Sequence, residues 1–457
     1  MAIHESLEHR IDHPALIQER AVVIGCGIGG LAAAAALRNH YEEVVILERD
    51  TIPDNPESRR GVPQDNQLHN LISCAQINLE KLIPGFLDSL REAGAGEASV
   101  ADETHVYELG IRMPERDLGL RLMSAYRPVI EHVARKKLQE DGQVAIKGLV
   151  RATGLQISRS GGLRGVTVDT EEGAKTIPAS IVVDATGSAS PVHRWLEDNG
   201  QQMPPIETAK INQWYVSTVF KRPPNYVGDN DFWLSFPNPP HTRGGLVSPI
   251  GDDLWYVSVS GRNNDQPPRT VEEVKAYVTD LEDEASISKL IMNSVPQGKP
   301  NLFRKVTATI RRYDLVEHPL PGVIPIGDSI ASLNPLYGQG MSVAAWQASE
   351  LDTLLGDHRQ GLIGLHNLTS RYLDRALTVA QEAWDLGEVV DQTISGSPDI
   401  ELEQVRLRYR ALGQLVEADP ALHRLYVSIW HLIEPAKALQ DPEILSRLEE
   451  NVHKLNI

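Results

Sequence analysis

The most constraining feature of this chain lies near its start. Ala21–Ile24 (AVVI) is a short unbroken apolar run, the pattern of a strand buried on both faces. It runs into Gly25-Cys26-Gly27-Ile28-Gly29-Gly30 and then into the helical stretch LAAAAALRNH. A second apolar run, Val44–Leu47, ends at Glu48. Strand, glycine turn, helix, strand and terminal acid together predict a dinucleotide-binding unit. Gly25 permits the tight turn, Gly27 lets backbone approach a pyrophosphate, and Gly30 lets helix and strand pack closely. The helix start offers unpaired amides and the positive end of its dipole to phosphates. Glu48 is expected to accept hydrogen bonds from ribose hydroxyls, and its charge repels a 2′-phosphate. The spacing leaves FAD and NAD both open.

The 457 residues are enough for two or three domains with a large core. A net charge of -18, from 44 basic and 62 acidic residues, argues against a nucleic-acid partner, which needs clustered basic surface. The only cysteines, Cys26 and Cys74, can build neither a disulfide framework nor a zinc site, so no metal is expected. The N-terminal stretch is polar, without the apolar core of a signal peptide. No run approaches the ~20 apolar residues that span a bilayer. A cytoplasmic protein without a transmembrane segment is expected.

Four further segments narrow the reading. Arg59-Arg60-Gly61-Val62-Pro63-Gln64 precedes His69 in QLHNLI. Tyr126-Arg127-Pro128-Val129-Ile130-Glu131 follows. Ile181–Ser188 (IVVDATGS) is an apolar strand ending in a small-residue turn. Val323–Ile326 leads into Gly327-Asp328, then Asn334-Pro335-Leu336-Tyr337-Gly338-Gln339-Gly340-Met341 and the helical SVAAWQASEL. With the glycine turn, these segments cover residues 21 to 350. They resemble the UbiH-like family of FAD-dependent monooxygenases, near the squalene, styrene and polyether epoxidases.

The resemblance implies that the dinucleotide is FAD, held without a covalent bond. Arg127 is then expected to neutralise pyrophosphate or hold the ribityl region, with Arg49 and Arg60 as further cofactor contacts. Asp184 and Gly187 fall near the adenosine end, and Asp328 takes the place of the carboxylate that bonds the ribityl chain. Pro335, Gly338, Gln339 and Gly340 form a turn near the flavin ring, with Gly338, Gly340 and Met341 touching the cofactor. The helix that follows presents its N-terminus to negative charge on the reduced ring. Two departures stand out. Gln67 replaces the first histidine of the family's His-x-His. Asp184-Ala185-Thr186-Gly187 replaces the Asp-Gly pair of members that take electrons directly from NAD(P)H. The sequence holds no second GxGxxG unit, so NAD(P)H either visits transiently as electron donor or a separate flavin reductase delivers the electrons.

Between about 190 and 310, Trp214–Phe220, Gly245–Ile250 and Leu254–Ser260 are rich in β-branched and aromatic residues and read as strands. From Glu350 onward the pattern is helical. The expected fold is α/β: a Rossmann-type FAD-binding domain with a parallel sheet (1–190 and 305–350), an antiparallel-sheet substrate domain (191–304) and a C-terminal helical region (351–457), as in aromatic hydroxylases. Trp214 and Trp384 are candidate substrate contacts. Leu422–Glu434 is amphipathic and reads as an internal packing face, with a membrane-touching surface as the alternative.

The implied function is a monooxygenase that inserts one atom of molecular oxygen into a lipophilic small molecule, by epoxidation or hydroxylation, through a C4a-hydroperoxyflavin. No side-chain nucleophile is required, because the flavin carries the hard chemistry. A flavin halogenase needs a lysine before the second helix, whereas the first lysine is Lys81. An FAD-dependent reductase or cyclase of a prenyl or polyketide substrate, and a maturation flavoprotein without oxygenase activity, are the alternatives.

Overall fold

The computed structural model describes residues 17–455 except 60, 62–63, 109–110, 141, 171–172, 224–231, 238–240, 252, 264, 282–285 and 395–400. Strand β1 (Ile17–Ile24), helix α1 (Ile28–Arg38) and strand β2 (Tyr41–Leu47) form the predicted opening unit. Helices α2 (Ser73–Leu82) and α3 (Arg127–Glu140) precede strands β3 (Val144–Lys147) and β4 (Ile181–Asp184). The chain then builds β5 (Ile206–Lys221), β6 (Gly244–Ile250), β7 (Leu254–Arg262) and β8 (Asn301–Arg311). Strand β9 (Val323–Pro325) returns to the first sheet, followed by helices α4 (Gly340–Arg359) and α5 (Leu365–Ile394).

The first sheet is parallel throughout, in the order β9-β4-β1-β2-β3. Its register aligns Ile24 with Leu47 and with Asp184, and Asp184 with Pro325. The segments that follow these residues therefore emerge at one edge. The chain passes from β1 to β2 on one side, while β4 lies on the other, so a crevice opens above β1 at the switch point. Alanines 32 to 36 bury α1 almost completely. Small side chains let it approach both the sheet and α4: a Cβ on Gly29 would sit 3.6 Å from the Cβ of Ala344.

The second sheet has nine strands, with β8-β5-β7-β6 at its centre. The three expected strands lie within β5, β6 and β7. The sheet reaches beyond the expected 191–304: Thr104–Glu108, Ile111–Arg112 and Ala331–Ser332 add strands from the other half of the chain. These short additions pair edges that would otherwise present open backbone.

The two faces of this sheet differ. One carries Trp214, Val216, Phe220, Val247, Trp255, Val257 and Val259, packed with Val274, Val278, Ile287 and Ile291 of two flanking helices. Trp214 thus lies in a closed core. Its Nε1 donates to the Asp265 carbonyl at 3.0 Å and its ring meets Tyr277 edge-on at 5.4 Å. This corrects the expectation that Trp214 contacts substrate. Alternation along β5 puts Gln213, Tyr215 and Ser217 on the opposite face. From there Tyr215 donates to Asn334 Oδ1 at 3.2 Å, and Tyr256 to Gln67 Oε1 at 2.8 Å.

Four-fifths of the way along, the chain becomes helical, with helices Leu402–Ala418, Pro420–Trp430 and Pro442–Leu455 after α5. Leu422, Tyr426 and Ile429 are buried, so the amphipathic stretch faces inward. Among the described residues, no helix is long and apolar enough to cross a membrane.

Candidate FAD and substrate site

Sterics explain the glycine turn. Gly25 has φ +106°, and a Cβ there would lie 2.4 Å from the Ala185 carbonyl oxygen. A Cβ on Gly30 would lie 2.0 Å from the Gly25 carbonyl oxygen. Both positions exclude any side chain for reasons internal to the protein. Gly27 is different. Its backbone is extended, and its Cβ would meet only Arg127 Nη2 at 3.4 Å and Glu131 Oε1 at 3.7 Å. Nothing within the fold itself therefore requires a glycine at Gly27. No side chain caps the start of α1, so its first amides are open to an anion.

Charged side chains surround this turn. Glu48 Oε2 accepts from Cys26 N–H at 2.9 Å and from Arg59 Nη1 at 2.9 Å, while Oε1 accepts from Asp50 N–H at 3.1 Å. The acid therefore fixes the turn as well as offering oxygen to a ribose. Arg59 also donates to the Cys26 carbonyl at 3.2 Å and to Glu131 Oε2 at 2.5 Å. Arg127 Nε donates to Glu131 Oε1 at 2.8 Å, and Arg135 stands 3.9 Å from Oε2. Burial alone would push the Glu131 carboxyl up; Arg127 and Arg59 outweigh it and hold it below the usual range. Three arginines gathered over an open helix start fit a pyrophosphate.

His69 lies near this cluster. Its Nδ1 is 2.9 Å from the Gln67 carbonyl, which can only accept, so Nδ1 carries the proton and Nε2 is an acceptor. Burial, helped by Arg127, lowers its pKa to about 4, so the ring is neutral at neutral pH.

A second turn lies beside the first. Gly327 N–H donates to Gln347 Oε1 at 2.8 Å, and Gln347 in turn donates to the Ala376 carbonyl on α5 at 2.9 Å. Asp328 Oδ2 accepts from Ser332 Oγ at 3.0 Å, and Lys305 of β8 donates to the same hydroxyl at 2.5 Å. Asn334 caps the short turn Pro335–Tyr337 through Leu336 N–H at 3.1 Å. Gly338 takes φ +66°, and a Cβ on Gly338 or Gly340 would meet nothing within 4 Å. The start of α4 is also uncapped by any side chain. Two open helix starts, α1 and α4, thus border one crevice. They suit a ligand with one anionic group at its pyrophosphate and another at a reducible ring.

Asp391 of α5 locks this second turn to the large sheet. It accepts from Asn334 Nδ2 at 2.9 Å, from Tyr337 Oη at 2.7 Å and from Arg262 Nη2 at 2.5 Å. Tyr337 stacks on Trp430 at 5.5 Å. Trp384 is buried on α5 one turn before Gly387, where a Cβ would press on the Tyr337 ring at 2.8 Å.

The expected residues separate accordingly. Gly25, Gly27, Gly30, Glu48 and Arg127 converge on the first turn; Asp328, Pro335, Gly338, Gln339, Gly340 and Met341 lie on the second. Gly187 has φ +87° with open space beside it. The Asp184 carboxylate accepts from Thr186 N–H, Thr186 Oγ1 and Ser190 Oγ within 3.1 Å, so it holds its own turn together. Arg49 is exposed, with Nη2 beside Gly61. Arg60 lies outside the described residues. Arg59, Glu131, Gln213, Arg262 and Asp391 were not anticipated. The i,i+4 spacing of Arg127 and Glu131 was the one available signal.

Residues 21–194, which span both strands of the first turn and the Asp184–Gly187 turn, match the FAD dependent oxidoreductase family. Over this stretch the chain is similar to FAD-dependent oxidoreductases. It is 26% identical to Protein Rv3254 of Mycobacterium tuberculosis, over 96% of this chain and 94% of that one. Its fold is similar to that of PqsL, a probable FAD-dependent monooxygenase from Pseudomonas aeruginosa: TM-score 0.63, 19% identity, 84% of this chain and 100% of that chain. It is also similar to the flavin-dependent brominase Bmp2: TM-score 0.66, 14% identity, 96% of this chain and 99% of that chain. The geometry fits FAD. The first turn and its arginines would hold the pyrophosphate, Glu48 the adenosine ribose and Asp328 the ribityl chain. The uncapped start of α4 would face the ring.

Proposed function

We propose that the protein is a monooxygenase of the UbiH-like group, placing one atom of dioxygen on a lipophilic small molecule by epoxidation or hydroxylation. The observation that carries this reading is the contact between the second turn and the large sheet. Tyr215 and Arg262 of the sheet, Asn334 of the turn and Asp391 of α5 form one buried hydrogen-bonded group. Substrate held against that sheet would face the turn beside the flavin ring.

Reduced FAD supplies the oxygen chemistry. The chain supplies the setting. Amides at the start of α4 favour negative charge on the reduced ring. Sheet and helices exclude water. The neutral His69, with Nε2 as acceptor, is able to accept a hydrogen bond from a hydroxyl placed beside it. Ala185-Thr186 in place of an Asp-Gly pair favours electron delivery by a separate reductase over direct NAD(P)H docking. A cytoplasmic location goes with this reading.

A cyclase is the second reading, favoured by one observation. The chain shares its fold with PyrE3, a Diels-Alderase of pyrroindomycin biosynthesis, at TM-score 0.62 over 91% of this chain and 81% of that chain. A halogenase is disfavoured, because Lys81, the first lysine, sits exposed at the end of α2. Turnover of candidate alkenes and phenols under isotopically labelled dioxygen separates the readings. Label in the product supports oxygenation. Isomerised product without label supports cyclisation.

A further inference from the structure

The strand register places three nitrogen-bearing side chains in a row. Gln213 of β5 is paired with Lys305 of β8 on one side and with Arg262 of β7 on the other. Directly paired residues share a face, so all three lie on the face that meets the second turn. Tyr215, two residues along β5, reaches Asn334 from that face.

Arg262 is fully buried. Its Nη2 is matched by Asp391 at 2.5 Å, and its Nε donates to Gln213 Oε1. That second bond fixes the amide of Gln213: flipping it would set donor against donor, so Nε2 points away from Arg262 Nε. Gln213 Nε2 and Arg262 Nη1 are both buried and have no hydrogen-bond partner among the described residues. Both atoms only donate. Two buried donors without acceptors, on side chains bonded to each other, are rare in a finished core and call for oxygen from elsewhere.

The charge of the row limits what that oxygen is. Asp391 already neutralises Arg262, and Lys305 is held through Ser332 to Asp328. An added carboxylate would bring an unmatched buried charge. We propose that Gln213 Nε2 and Arg262 Nη1 form a subsite for an uncharged carbonyl oxygen of the substrate, next to the flavin turn. The proposal rests on the reading above only in placing substrate between sheet and flavin. It makes the substrate a lipophilic ketone, quinone or related carbonyl compound.

The test uses oxidised FAD-loaded protein and needs no oxygen chemistry, so it succeeds or fails apart from the monooxygenase reading. Perturbation of the flavin absorbance is titrated with matched aryl probes of increasing size, each methyl ketone against its ethyl analogue, such as 2-acetylnaphthalene and 2-ethylnaphthalene. At least one ketone should bind roughly tenfold more tightly than its hydrocarbon partner, the worth of a well-made buried hydrogen bond. Gln213→Met keeps the side chain's length, adds no charge and removes the donor. It should abolish the preference while leaving FAD content and hydrocarbon binding unchanged. No ketone preference in any wild-type pair would overturn the proposal. So would tighter binding of 2-naphthoate than of the ketone, or a preference that survives in Gln213→Met, which would mean that Gln213 Nε2 bonds only to water.

Discussion

Arg59 and Glu131, 72 residues apart in sequence, meet at 2.5 Å in a buried ion pair over the glycine turn. Glu48 holds the same guanidinium from its other side at 2.9 Å. One arginine therefore ties the end of β2 to α3 across the dinucleotide crevice. Arg59→Met would leave two buried carboxylates facing each other. Breaking a buried pair by removing one partner costs about 3–5 kcal/mol. Urea denaturation should show a loss of that order, and the purified variant should retain little FAD. A loss under about 1 kcal/mol would mean that the cluster is not cooperative.

The glycines of the first turn should separate folding from cofactor binding. Gly30→Ala drives a Cβ to 2.0 Å from the Gly25 carbonyl oxygen, so it should lower stability of the protein with or without FAD. Gly27→Ala meets nothing closer than 3.4 Å. It should fold normally, with stability within about 1 kcal/mol of wild type, yet bind FAD at least tenfold more weakly. Thermal melts of apoprotein and equilibrium FAD titration measure the two effects. Equal damage from both substitutions would refute the distinction.

Asp328→Ala should yield protein that loses flavin on gel filtration. Burial pulls the Lys305 pKa down, and Asp328 is the charge that opposes this. Removing Asp328 should therefore lower the lysine pKa further, which labelling of Lys305 by an amine-selective reagent at graded pH can follow. Full flavin content in this variant would remove Asp328 from the cofactor site.

Glu108, at the end of the strand Thr104–Glu108, controls pH dependence away from the flavin. Burial raises its pKa from 4.5 to about 7, with a hydrogen bond from Tyr426 acting the other way. Its folded pKa is above its unfolded one. The stability it contributes is complete below pH 4.5 and is lost as pH rises through about 7. The unfolded state ionises first in that window, so wild-type stability should fall by up to about 3 kcal/mol relative to Glu108→Gln. Denaturation of both proteins at intervals across this range tests it. Parallel profiles would show that Glu108 ionises freely in the fold.

The site is most legible in the sequence where local geometry and chemistry coincide. Gly25 and Gly30 exclude a side chain because of neighbours within the same unit, and an acid following β2 can only stand at the sheet's carboxyl edge. The parts that were missed depend on tertiary pairing. Nothing local says that Arg59 turns inward towards an acid 72 residues away. Trp214 lies on a strand whose two faces are both largely buried, so alternation could not tell the closed core from the face that meets the flavin turn. Asp391 comes from a helix far along the chain, and its three partners sit on two other segments, the strand that ends at Arg262 and the turn from Asn334 to Tyr337. The short strands at 104–112 and 331–332 are too brief to carry a period and exist because the large sheet pairs them.

Oxygen transfer, as proposed, requires the reduced flavin of this protein to activate dioxygen. The most direct measurement is anaerobic reduction of the holoprotein with dithionite, followed by rapid mixing with oxygenated buffer while absorbance is recorded. Oxygen transfer predicts a transient spectrum distinct from both oxidised and reduced flavin, preceding reoxidation and lengthened by bound lipophilic ligand. Direct single-step return to oxidised flavin, with such ligands present as well as absent, would contradict it.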